Sequence, residues 1–137
     1  MVNLISSIVF FITFLFTCAS SASELTRSDE KYFFEMNGET LSDGSQVYMR
    51  YDVDMFYGQK KAHVRITTWN APVSCDGDYN IKKNNKEYIL IYTGGDDGCV
   101  YPSPQFQIKQ KGNHMYIKGE PLVYGQGGGL RMTRRNK

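Results

Sequence analysis

Val47-Tyr48-Met49-Arg50-Tyr51-Asp52-Val53-Asp54-Met55-Phe56-Tyr57 is the stretch on which the fold turns. Val47, Met49, Tyr51, Val53, Met55 and Tyr57 fall on one side of an extended chain, and Tyr48, Arg50, Asp52, Asp54 and Phe56 on the other. Successive side chains of a strand point to opposite faces, so a period of two predicts a long strand with one buried face.

The pattern repeats in both directions. Upstream, Lys31–Asn37 reads as a strand, and Ser42-Asp43-Gly44 supplies turn chemistry before Val47. Downstream, Gly58-Gln59-Lys60-Lys61 reads as a hairpin turn, and His63–Trp69 alternates with Val64, Ile66 and Thr68 on one face. Tyr79–Lys83 is a short strand and Asn84-Asn85 a turn; Tyr88–Tyr92 is apolar throughout and predicts cover on both faces. Gln105–Lys109 and His114–Lys118 make a hairpin about Lys111-Gly112-Asn113, and Leu122–Tyr124 and Leu130–Thr133 end the chain. No amphipathic helical pattern interrupts this series. The expected fold is all-β: a small antiparallel meander of about eight strands closed into a β-barrel, with a two-sheet sandwich as the alternative.

The 137 residues divide into a leader and one domain. Residues 4–16, LISSIVFFITFLF, suit the apolar region of a signal peptide and are too short to span a bilayer. Ala19 to Ser23 are small, which places cleavage after Ala22 or Ser23, although no Lys or Arg precedes the apolar run. Residues 1–23 are therefore expected to be a signal peptide and 24–137 a single all-β domain, secreted or periplasmic. Leu15-Phe16-Thr17-Cys18 has a Leu three residues before a Cys, as in bacterial lipoproteins. A lipid on Cys18 would tether the domain to a membrane.

Three cysteines are present, and beyond the leader only Cys75 and Cys99 remain. Two thiols in a small exported domain are expected to pair. The formal net charge is +2 and the basic residues are scattered along the chain, so nucleic acid is not an expected partner.

Catalytic and metal signatures are absent from the sequence. His63 and His114 stand alone at outward parity; there is no G-x-S-x-G, phosphate loop or dinucleotide fingerprint. Asp76, Asp78 and Asn80 have the spacing that opens a calcium loop, with Glu87 at the twelfth position, but Ile81 occupies the position that needs glycine. Neither a cofactor nor a metal is expected. A Cys75–Cys99 bond would instead gather Asp76, Asp78, Asp96 and Asp97 into an acidic end, able to meet a basic partner. Tyr48, Phe56, Trp69 and Tyr101 are the aromatics expected outside the core.

The run Asp97–Tyr124, DGCVYPSPQFQIKQKGNHMYIKGEPLVY, resembles the C-terminal hairpin of the periplasmic and membrane-bound inhibitors of c-type lysozyme. Gly98 and Tyr101 match that family's Ser-Gly-x-x-Tyr motif, with its Ser falling on Asp97, and Lys111-Gly112 matches its Lys-Gly turn. The resemblance implies a β-barrel whose loops plug an enzyme cleft, with Lys111 meeting the target's catalytic acids. The expected function is a non-catalytic, exported protein-binding or inhibitor domain. Its partner-binding residues are Asp76, Asp96, Asp97, Tyr101 and Lys111, grouped at one end. The alternative is a carrier holding a small apolar ligand inside the barrel.

Overall fold

The structure is a computed structural model and describes residues 27–122 and 129–136. Eight strands run β1 Glu30–Thr40, β2 Gln46–Phe56, β3 Lys61–Trp69, β4 Gly77–Asn84, β5 Glu87–Tyr92, β6 Phe106–Lys111, β7 His114–Lys118 and β8 Leu130–Arg134. Each pairs antiparallel with the next, and β1 pairs with β8 through Tyr32↔Arg134 and Phe33↔Thr133. The sheet is thus a closed barrel, not a sandwich.

The decisive strand behaves as its pattern predicts. Val47, Met49, Tyr51, Val53 and Met55 are buried, and the alternate residues are half-exposed. Inside, Tyr51 stacks on Phe34 with ring centroids 4.7 Å apart, and Phe106 meets Tyr51 at 6.3 Å and Tyr79 at 5.6 Å. These rings, with Met55, Leu90, Ile108 and Ile117, fill the barrel axis.

One local reading needs correction. β5 is not covered on both faces: only Leu90 is fully buried, and Ile89 and Ile91 lie half-exposed on the outer wall. Of the strand expected at Leu122–Tyr124, Leu122 is buried outside any strand, and Val123 and Tyr124 lie outside the described residues. The leader and Cys18 also lie outside them.

Because the strands alternate in direction, the connections sort onto two ends. At one, residues 57–60, 85–86 and 112–113 make tight turns, and β1 begins and β8 ends. At the other, residues 41–45, 70–76 and 93–105 make the longer connections, and β7 ends and β8 begins. These are called below the turn end and the loop end.

Candidate functional site at the loop end

Loops carry function when a rigid frame positions them, and the loop end is unusually well held. Cys75 and Cys99 form a disulfide that joins the β3–β4 loop to the β5–β6 loop. The bond closes a span of 24 residues, for which the loop-entropy model gives about 3 kcal/mol. Cys75 has a left-handed backbone (φ 69°), unusual for a residue other than glycine. It is held there on three sides: by the disulfide, by its amide donating to Gly98 O at 2.7 Å, and by Tyr79 OH donating to its carbonyl at 2.5 Å.

Beneath the disulfide, the Tyr92 ring is seated among glycines. A Cβ on Gly94 would come within 2.3 Å of the ring, one on Gly77 within 3.2 Å, and one on Gly98 within 2.2 Å of the ring's hydroxyl oxygen. Tyr92 OH donates to Asp76 O at 3.2 Å. The glycine-rich run Gly94–Gly98 is thus shaped by close approach to one aromatic ring, not by flexibility. Gln105 is buried and finishes the frame: its Oε1 accepts from Tyr92 N at 2.8 Å and its Nε2 donates to Tyr101 O at 3.1 Å.

On this frame stand the exposed large hydrophobic residues. Trp69 is 72% exposed, Val73 52% and Val100 77%. Trp69 ends β3 and Val73 lies in the loop that follows it; Val100 adjoins Cys99, and its amide donates to Ser74 Oγ at 3.2 Å. Val73 and Val100 thus belong to the two bonded loops, and Trp69 is the strand residue that leads into the first of them. Scattered apolar residues on a surface mean little, but these three all stand at the stapled loop end.

No family model, curated protein or solved structure matches this chain. The site is accordingly read from its own geometry.

The residues expected to meet a partner separate into groups. Asp96 and Asp97 are exposed in a short 3-10 turn, Asp96–Gly98, beside the disulfide. Tyr101 follows Val100 and is half-buried against the core. Asp76 reaches the loop end, but its Oδ2 accepts the Ile66 amide at 2.7 Å, capping β3 where its pairing with β4 stops at Val64↔Gly77. That carboxylate is occupied by backbone. Asp78 meets His63 Nδ1 at 2.7 Å on the outer wall. The expected crowd of four carboxylates is in fact a pair, Asp96 and Asp97. Lys111 lies at the far end of β6, which runs Phe106–Lys111, or about 17 Å at the rise of a strand. It belongs to the turn end, where its Nζ sits 5.1 Å from the Tyr116 ring centroid. The grouping of Lys111 with the acidic loops fails because one strand separates them.

The calcium-like spacing also dissolves. Asp78 and Asn80 lie on β4, an extended strand that throws them along the outer wall instead of around an ion. Among the described residues, no three His, Cys, Asp or Glu side chains are grouped to hold a metal ion.

Sequence reasoning noticed Trp69 and Tyr101 but missed Val73 and Val100. Their signal was present: each is a β-branched apolar residue outside any alternating run, in Ala71-Pro72-Val73 and Val100-Tyr101-Pro102.

Proposed function

We propose that this protein is an exported, non-catalytic binding domain that grips a protein partner with its loop end. One observation carries the reading: Trp69, Val73 and Val100, all well exposed, lie in or directly beside the two loops that the disulfide joins. Trp in such a position is a favoured anchor, and a rigid loop loses little entropy on binding. Asp96 and Asp97 flank the apolar rim, so the complementary surface is apolar at its centre and basic at its edge. The disulfide suits an oxidising compartment, which fits export.

A c-type lysozyme is one candidate partner, from the resemblance of Asp97–Tyr101 to the inhibitor motif. In that case the contact uses the loop end alone, because Lys111 stands at the opposite end. The carrier alternative draws little support from an axis filled by Tyr51, Tyr79 and Phe106.

The test compares wild type with Trp69→Ser/Val100→Ser in two assays: inhibition and calorimetric binding of a c-type lysozyme, and covalent capture from the fluid into which the protein is exported. The expected result is one stoichiometric partner, retained by wild type and lost from the double variant. A double variant that keeps every wild-type partner would falsify the reading.

A further inference from the structure

The turn end carries a second feature. A cleft of about 440 Å³ opens where β7 and β8 part beyond their last paired residues, Met115↔Met132. Arg27, Arg131, Arg134 and His114 line it, with Glu30 as the carboxylate among its lining. The lining thus carries three arginines and one carboxylate, a formal excess of two positive charges.

The three arginines are not equivalent. Arg27 is fully engaged: Nε donates to Glu30 at 2.9 Å, Nη1 to Gln110 at 3.1 Å and Tyr88 OH at 3.3 Å, and Nη2 to Tyr32 OH at 3.3 Å. Arg134 spends one nitrogen on Glu30 Oε1 at 3.1 Å and keeps its remaining donors. Arg131 makes no hydrogen bond or ion pair to another side chain among the described residues. The wall beside the cleft has the same sign. The outward residues of β6 and β7 include Lys109, Lys111 and Lys118 and no carboxylate; only Lys109 among them is ion-paired, to Glu87 on β5 at 3.1 Å. Scattered in sequence, these cations are collected by the meander.

We propose that this cleft binds a doubly charged oxyanion of the phosphomonoester type, held by Arg131 and the free donors of Arg134, with His114 at its edge. Guanidinium forks match such oxygens in geometry as well as charge. Arg27 and Glu30 do not touch the ligand; they fix the cleft wall. This site is independent of the loop end and of the function proposed for it.

The experiment titrates the full exported chain with inorganic phosphate and with glycerol phosphate, following amide shifts of His114, Met115, Arg131 and Met132. Vesicles of phosphatidylcholine containing phosphatidic acid form a separate arm. The expected result is saturable binding centred on those amides, weakened about tenfold in Arg131→Gln, while Lys82→Gln/Lys86→Gln stays within about twofold of wild type. Melting of Arg131→Gln should match wild type, which separates lost binding from lost folding. Vesicle binding that glycerol phosphate displaces identifies a lipid headgroup as the source; soluble binding without vesicle binding identifies a free ligand. The site does not exist if no amide saturates, if the Lys82/Lys86 variant loses as much as Arg131→Gln, or if vesicles bind without competition.

Discussion

The two ends of the barrel solve one problem by different means. At each, the strand ladder stops and something else must hold the chain. The loop end is held by a covalent bond, by a tyrosine ring wedged among glycines and by one buried amide. The turn end is held by charge. Glu30 Oε2 accepts from Tyr32 OH at 2.5 Å, from Tyr57 OH at 3.1 Å and from Arg27, whose guanidinium also lies 4.7 Å from the Tyr57 ring centroid. Covalent and steric restraints ignore pH and respond to reductant. Charge-assisted hydrogen bonds ignore reductant and respond to pH. The restraint that fixes the loop end is thus the one that an oxidising compartment preserves.

The largest expected effect breaks the loop end. Cys75→Ala/Cys99→Ala should cost about 3 kcal/mol on the loop-entropy model, read as a lower urea midpoint. Reductant should destabilise wild type by the same amount and leave the double variant unchanged. Hydrogen exchange should quicken in residues 70–76 and 93–105 and stay slow at the β1–β2 and β6–β7 pairings. Uniform acceleration would mean that the disulfide supports the whole barrel and not one end.

The turn end should fail next. Arg27→Ala removes the donors that face Glu30 and leaves its carboxylate, only 9% exposed, short of partners. About 2 kcal/mol is expected, since hydrogen bonds to charged groups are worth roughly 1.5–3. Glu30→Gln should cost a similar amount and also remove a pH dependence. Burial alone would raise the Glu30 pKa, but the Tyr32 hydroxyl, the Arg27 guanidinium and the Tyr57 hydroxyl outweigh it and hold the group below its ordinary value of 4.5. A depressed carboxylate contributes stability that is complete above the ordinary value and is lost as pH falls through the folded-state value beneath it. Denaturation midpoints measured downward from pH 6 should therefore drop more steeply below about pH 4.5 in wild type than in Glu30→Gln. Parallel curves would show that Glu30 is not the acid-sensitive group. Asp52 is also depressed, chiefly by its hydrogen bond from Arg50, so the difference between the two proteins is the quantity to read, not the wild-type slope.

The two ends also differ in how well the sequence announces them. The barrel wall was legible because its signal is local: alternation in Val47–Tyr57 or His63–Trp69 depends only on neighbours along the chain. The disulfide was legible by elimination, because Cys75 and Cys99 are the two cysteines beyond the expected leader. The Arg27 cluster was not. It joins Arg27 to Tyr88, Gln110 and Met115, contacts separated by 61 to 88 positions, and nothing in a lone Arg before a strand marks it as a barrel plug. Lys111 was misplaced for a related reason. A motif read along the chain does not record that the strand between its two parts carries them to opposite ends. Asp76 looked like a surface acid because its neighbours are polar, whereas its carboxylate serves a backbone amide ten residues away.

A smaller expected effect tests whether Tyr92 locks the rim. Gly98→Ala puts a Cβ 2.2 Å from Tyr92 OH, so the ring must shift and release its bond to Asp76 O. Overpacking of this kind costs about 1–3 kcal/mol. Tyr92→Phe removes the clashing oxygen, leaving the Cβ 3.0 Å from the ring carbon that bore it. In a double-mutant cycle, Gly98→Ala should therefore cost less in the Tyr92→Phe background. Additive costs would place the strain elsewhere in the loop.

The smallest effect on stability belongs to the variant with the greatest effect on binding. Trp69→Ser and Val100→Ser replace side chains that are already mostly in water, so little burial is lost and each should change stability by less than about 0.5 kcal/mol. Exposed apolar residues that contribute little to folding need another reason to be large, which is the ground for the partner proposed above. If either substitution costs several times that figure, the side chain packs on its own loop, and its exposure no longer argues for a binding rim. If stability holds while the partner is lost, the two ends divide cleanly: the charged turn end maintains the barrel, and the stapled loop end uses it.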